Sequence, residues 1–506
     1  MKYFVIPTKN YNFADYLVTI KGFFDMITRI KINGFKSLLH TELLFGPFTC
    51  IAGENAVGKS NLFDAITFLS KLAEGNYTIQ QAAKSIRSEN QKHSSIKDIF
   101  FRSGSHYFNK MSFEIDMIVS EKAEDDLGQL AEATITSIQY KLELKLNEND
   151  EERESIEIIE ESLTPIKITD AREQLSVRGK KEWVNSILKG RRGIKTPFIS
   201  TKDGRIKLHQ DMGKNGNGRS GKGRSTEYIA EKMPRTLLST VTSESPTAFL
   251  VRHEMRNWVM LQLEPGALRQ PDSIFEVKNA KISANGYHVP ATLYRLHNEK
   301  KERDIFQLLT NKVKELVSAV DEISVEKDEK RDLLTLQIRF KDGLSLPAHS
   351  LSDGTLRFLA LAIIREDSEH GGLICLEEPE NGIHPDKIKE MVQLLEDVAT
   401  DIEYEVDEDN PLRQVIINTH SPAVVNAVST NSLYIASVKE MYMDKFKKKV
   451  QFTFFKVDKN TWKAEPNSMN TIVNGDIFPY VKPPGRAADK RGKMTVAETF
   501  TYEQFQ

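Results

Sequence analysis

Eight consecutive residues, Gly53-Glu54-Asn55-Ala56-Val57-Gly58-Lys59-Ser60, have the make-up of a loop that wraps phosphate. Successive backbone N–H groups there can point at an anion. Gly53 and Gly58 permit a tight turn with close approach, and Lys59 adds a charge near the terminal phosphates. Ser60 is placed to ligate magnesium, and Asn61 opens a helix whose positive end faces the loop. Far downstream, Leu351-Ser352-Asp353-Gly354-Thr355 precedes an apolar helical run, Phe358 to Ile364, with Ser352 suited to cap it. The run Leu373 to Glu378 reads as a strand ending in two carboxylates, which the pleat sends to opposite faces. One carboxylate of the Glu377 and Glu378 pair can then hold magnesium or its water, while the next orients or deprotonates an attacking water. A further apolar strand, Gln414 to Ile417, runs into Asn418-Thr419-His420-Ser421-Pro422, so that His420 can sense a terminal phosphate. Together these residues describe one Mg2+-dependent nucleotide site split across the chain.

Such a site needs a frame. Phe48 to Ala52 reads as the strand entering the loop and Asn61 to Leu72 as the helix leaving it. Ile27 to Ile32 and Glu42 to Phe45 read as strands on either side of Phe35-Lys36-Ser37. A period of two at Met111 to Val119, Ile138 to Leu146 and Ile156 to Ile159 predicts an antiparallel sheet, with the acidic stretch Glu148 to Glu154 as a solvated hairpin tip. From Arg172 to Arg224 the chain is basic and ends in a glycine-laden segment, 213–224, which suits a solvated loop, contact with DNA or RNA phosphate, or docking of a partner. A helix is expected at Ala248 to Gln262, a break at Pro265 and Pro271, and a charged amphipathic helix at Ala291 to Val320. Strands at Leu333 to Phe340 and Leu344 to Leu346 lead into the second motif. A helix at Asp386 to Val398 and strands at Leu433 to Ala436 and Val450 to Val457 complete the pattern.

The 506 residues can bury a large core in two or three lobes, and 39% hydrophobic with 28% charged residues fits a globular chain. A net charge of -2 argues against wholesale coating of nucleic acid. The two cysteines, Cys50 and Cys375, sit in apolar strand-like runs and are expected as buried thiols, with neither a disulfide framework nor a zinc cluster. No run of eighteen apolar residues occurs, so no membrane span and a cytoplasmic location are expected.

The ordered set of phosphate loop, Leu-Ser-Asp-Gly-Thr, Glu-Glu-Pro-Glu and Thr-His-Ser-Pro resembles the ABC-type ATPase heads of the RecF, Rad50/SMC and OLD group, within the AAA-type ATPase domains. It is most similar to the antiphage defence ATPases typified by PtuA of the Septu system and AriA of PARIS, over Met26 to Ser421. The resemblance implies an α/β fold: a P-loop NTPase head with an antiparallel β lobe and a helical, basic insertion between the phosphate loop and the signature. It divides the chain into an N-terminal extension (1–25), a first ATPase lobe (26–165), an insertion of basic loop plus helical arm (166–330), a second lobe (331–460) and a tail suited to partner docking (461–506). It assigns ATP and Mg2+ to Lys59, Ser60 and Glu377, the catalytic base to Glu378 and the switch histidine to His420. Ser352, Asp353 and Gly354 would act on nucleotide held by a second subunit, which implies a homodimer or higher homo-oligomer. Gln91 is the candidate for the glutamine loop.

OLD-type heads carry a Toprim nuclease, whose strand-end glutamate and Asp-x-Asp pair have no match after Ser421. Asp407-Glu408-Asp409 has the spacing but precedes the histidine strand and reads as a solvated loop. His253-Glu254 lacks a zincin's second histidine, since Asn257 stands in its place. The expectation is an ATPase without its own nuclease, working with a separate HNH or Toprim partner and with DNA as a candidate ligand. A RecF-type repair ATPase is the alternative. A transporter ATPase is disfavoured by the long stretch between Ser60 and Ser352 and by the missing Leu-Ser-Gly-Gly-Gln.

Overall fold

The computed structural model describes residues 26–476 apart from 88–94, 105, 149–153, 191–195, 210, 212–226, 301–302, 445, 465–470 and 473–475. The extension 1–25, Gln91, the glycine-laden segment 213–224 and most of the tail 461–506 lie outside the described residues.

The apolar runs of the sequence become a six-stranded sheet in the order Val259–Leu261, Gly372–Glu377, Arg413–Thr419, Phe48–Ala52, Leu433–Met443 and Lys448–Lys456. The first five strands are parallel, and the last returns antiparallel at the edge. Both faces of this sheet are covered, which is why its strands read as continuous apolar runs. Ile51, Leu373, Cys375 and Ile416 point into one core, while Cys50, Ala52, Ile374, Leu376 and Ile417 point into the other. The two buried cysteines thus occupy ordinary core positions.

On the first face lies the helix Lys59–Glu74, with Leu62, Phe63, Ile66 and Leu69 buried. Over it packs an eight-stranded antiparallel sheet ordered Glu227–Ile229, Arg205–Leu208, Ile199–Lys202, Glu154–Pro165, Ser137–Glu148, Lys110–Ile118, Met26–Asn33 and Thr41–Leu44. Phe35, Phe68 and Phe113 meet at ring separations of 5.6–6.0 Å and tie this sheet to the helix. Three of its strands fall in the stretch 166–330, so part of the expected insertion continues the first lobe's sheet. On the second face, Asp353–Glu366, Ile388–Val398 and Pro422–Ala427 bury Phe358, Leu394 and Val424.

Three expectations change. The phosphate-loop helix starts at Lys59, not Asn61, because left-handed Gly58 ends the loop there. The helix expected to reach Gln262 stops at Arg256, and Val259–Leu261 becomes an edge strand paired with Ile374–Leu376. The long helix Ala291 to Val320 is two, Val289–Glu299 and Ile305–Leu316, followed by the strand Val320–Asp328. Asp304 restarts the second helix by accepting from Gln307 N at 3.1 Å. Among the described residues no helix is long and apolar enough to cross a membrane.

Candidate nucleotide site

In parallel register, Glu377 lies opposite Asn418, Asn418 opposite Ile51 and Thr419 opposite Ala52. The ends of three strands therefore present the phosphate loop, the acidic pair and the histidine segment at one sheet edge, where α/β sheets bind ligands.

The loop is shaped as much by its own chain as by any ligand. Ala56 and Gly58 have φ of 65° and 96°. A Cβ on Gly58 would stand 2.1 Å from Thr453 Oγ1 and 2.4 Å from Ser37 Oγ, and one on Gly53 would stand 2.7 Å from the Ala436 carbonyl oxygen. Thr453 donates to the Val57 carbonyl at 2.7 Å, and Asn61 donates to Ser37 Oγ at 2.7 Å. Ser37 and Thr453 thus brace the loop from opposite ends of the sequence. Lys59 is buried and donates to the Gly53 and Glu54 carbonyls, each at 2.7 Å. Burial lowers its pKa, against the opposing pull of Glu378, Glu380 and Glu377.

Glu377 ends its strand, hydrogen-bonded to the Ser60 hydroxyl and 3.4 Å from Asn418 Nδ2. Burial alone would raise its pKa, but hydrogen bonds from Arg87, Ser60 and Asn418 overcome this and hold it below the usual carboxylate range. Two hard oxygen donors, the Ser60 hydroxyl and the Glu377 carboxylate, therefore converge where a Mg2+ ion would sit, and the pair fits that ion. Glu378 adopts φ 46°, a left-handed conformation unusual outside glycine, and its N–H donates to the Asn418 carbonyl at 3.0 Å. The turn parts it from Glu377: Glu378 Oε1 meets His420 Nδ1 at 2.7 Å, and Oε2 accepts from Asn381 at 3.1 Å. Glu380 is buried and accepts from Thr419 Oγ1 at 2.5 Å. Burial and the nearby Glu378 charge raise its pKa. Asn418, Thr419 and His420 are thereby each matched to one acid, Glu377, Glu380 and Glu378.

The signature segment joins the same turn from its other side. Ser352 caps Asp353–Glu366, its side chain accepting from Thr355 N at 3.3 Å. Asp353 is held by Arg269 at 2.5 Å. Gly354 packs so closely on the following turn that a Cβ would lie 2.2 Å from the Gly382 carbonyl oxygen. Arg357 donates to the Asn381 carbonyl at 2.6 Å, and Asn381 bonds Glu378 in turn.

Several residues here were not singled out by the sequence. Lys36 pairs with Asp64 at 2.6 Å, and Arg87 bridges Asp64 to Glu377. Gln262 follows Leu261, which pairs with Leu376, so it lines a cleft of about 380 Å³ together with Asp64, Arg87 and Glu377. That places Gln262 beside Glu377. Other motifs resolve to surface or core structure. Asp407 accepts from the N–H groups of Asp409 and Asn410 in an exposed turn, and Asp409 pairs with Arg303 at 2.9 Å. His253 and Glu254 are buried in the helix Pro246–Arg256.

A phosphate loop on an inner parallel strand, with acids ending the neighbouring strand but one and a capped helix behind them, gives this chain the α/β architecture of a P-loop NTPase fold. Family comparison agrees in two pieces: residues 26–209 match the AAA ATPase domain, and residues 283–426 match the AAA domain described as putative AbiEii toxin, Type IV TA system. No curated protein matches the chain. Among solved structures, an SMC head bound to the C-terminal winged-helix domain of ScpA aligns at 14% identity, covering 85% of this chain and 98% of that one, with a TM-score of 0.41. The SMC head domain from Thermotoga maritima aligns at 13% identity, covering 84% and 97%, with a TM-score of 0.34. An SMC head with an extended coiled coil, bound to the C-terminal domain of ScpA derived from Pyrococcus furiosus, aligns at 12% identity, covering 86% and 96%, with a TM-score of 0.40.

Proposed function

We propose that this chain binds and hydrolyses ATP with Mg2+, and that it is the sensor or regulatory ATPase of an antiphage defence complex controlling a separate HNH or Toprim nuclease. The observation that carries the hydrolytic reading is the single sheet edge shared by Lys59, Ser60, Glu377, Glu378 and His420. Lys59 leaves the Gly53 and Glu54 carbonyls to meet the phosphates, whose oxygens replace them as acceptors. Ser60 and Glu377 hold Mg2+, which when bound neutralises charge on the phosphate oxygens. Glu378 accepts the proton of the attacking water, oriented by Asn381. In the resting arrangement His420 occupies one Glu378 oxygen, so release of that hydrogen bond as nucleotide arrives frees the base.

Ser352, Asp353 and Gly354 complete the site on nucleotide bound by a second copy, giving a homodimer or higher homo-oligomer. The defence role is supported by the motif resemblance and by the toxin description of the domain matched over 283–426. The division into lobes, insertion and docking tail is part of the same proposal, with DNA as a candidate ligand of the basic segment. Glu378→Gln is the decisive variant. Steady-state hydrolysis should fall by about 100-fold or more, the worth of a positioned general base, while ATP is retained and a nucleotide-bound dimer accumulates on size exclusion. Normal turnover in that variant would remove Glu378 from the mechanism. Co-purification of the neighbouring gene product, tested for nuclease activity with and without ATP, checks the partner.

A further inference from the structure

Arg87 donates to both oxygens of Glu377, Nη1 to Oε2 at 2.7 Å and Nη2 to Oε1 at 3.0 Å. Its Nε donates to Asp64 Oδ1 at 2.8 Å, and Nη2 also reaches the Ser60 carbonyl at 3.3 Å. One guanidinium therefore touches the metal-side carboxylate, the backbone of the residue bearing the metal-side hydroxyl, and the phosphate-loop helix. Bidentate pairing of this kind is the strongest geometry open to an arginine and a carboxylate. A divalent cation arriving between Ser60 and Glu377 would find both Glu377 oxygens already neutralised by a protein charge.

We propose that Arg87 is a latch that competes with Mg2+ for Glu377, so that metal binding and release of the guanidinium are one exchange. This rests on the ATPase reading above. The surroundings are arranged for exchange. Asp64 is buried and keeps Lys36 on its other oxygen at 2.6 Å, so it remains neutralised whatever Arg87 does. Lys36 also holds the Arg87 carbonyl at 2.6 Å, which fixes the backbone while the side chain turns. Arg87 itself is half exposed, and the cleft of about 380 Å³ beside it gives the guanidinium room to leave Glu377 while its Nε stays on Asp64. Nucleotide without metal leaves the latch shut; nucleotide with metal opens it.

The test is the Mg2+ dependence of binding, read without turnover. A fluorescent ATP analogue is titrated into the full chain in Mg2+ and in EDTA, and the ratio of the two affinities is compared between variants. Losing one positive charge near the phosphates weakens the more anionic, metal-free nucleotide more and so raises the ratio by itself; the charge-keeping Arg87→Lys variant separates that effect from loss of the latch. In Arg87→Ala the ratio should rise about tenfold, the scale of one charge-assisted pair lost as a competitor, with a matching fall in the Mg2+ concentration at half-saturation. Arg87→Lys keeps the charge beside Asp64 but cannot span both Glu377 oxygens, so it should rise less; it also serves if the alanine variant fails to fold. A ratio unchanged in Arg87→Lys overturns the latch even where Arg87→Ala raises it, since charge loss alone then accounts for the rise, and a lower ratio makes Arg87 a contributor to the metal site instead. Wild-type chain that binds no nucleotide in either condition would overturn the ATPase reading itself.

Discussion

The phosphate loop and the signature helix both depend on a crowded glycine, and the crowding atoms differ. Around Gly58 they are hydroxyls, Thr453 and Ser37, brought from distant parts of the chain; around Gly354 they are the backbone of the turn that follows Glu378. The first glycine sets where the loop sits against the last strand of the sheet. The second sets how closely the signature helix approaches the turn after Glu378, and Arg357 and Asn381 continue that contact to Glu378. A motif glycine here is thus a packing device within one chain as well as an approach for ligand, and the two halves of the site are coupled through residues 379–384.

The largest break in this comparison is Gly58→Ala. A methyl group forced against two hydroxyls at φ 96° should cost about 3 kcal/mol or more of stability, read as a lowered thermal midpoint, and ATP binding should fall with it. Gly354→Ala should lower stability too but spare nucleotide binding and lose hydrolysis, since its clash falls on the turn that follows the proposed base, Glu378. Equal effects of the two variants on ATP affinity would erase the distinction. Next comes Lys59→Ala, for which ATP affinity should drop about 100-fold, roughly 3 kcal/mol, with little change in fold because the lysine bonds only loop carbonyls. Ser352→Ala is the smallest. Losing the cap costs about 1 kcal/mol in melting experiments. A fall in hydrolysis well beyond that, with binding of nucleotide unchanged, sharpens the assignment of Ser352 to a partner's nucleotide; hydrolysis that merely tracks stability leaves it a helix cap.

What the sequence made legible was local. The strand runs Phe48–Ala52, Gly372–Glu377 and Arg413–Thr419 are apolar on both faces, and their ends carry the chemistry within a few residues. What it concealed was brought in from afar. Arg87 and Glu377 are 290 residues apart, so no spacing reports their pairing. Val259–Leu261 is a strand of three residues that follows helical periodicity after one Asn257, and only its neighbour in the sheet decides its state. Gln262 was hidden for the same reason. The amphipathic pattern ran through 300–304 because side-chain periodicity does not register a change of helix axis; the signal available was Asp304 with its capped N–H three residues on.

The brace on the phosphate loop also has a meaning in time. Val57 and Thr453 are 396 residues apart, and the strand entering the loop lies between two strands from the second half of the chain. At roughly 5–20 residues per second, ~20–80 s of synthesis separate the loop from the hydroxyl that fixes it. Through that interval the chain holds the loop residues without the sheet that aligns them, so the loop's geometry belongs to the chain only once Thr453 has been made, and a translation product interrupted before it carries the motif without its brace.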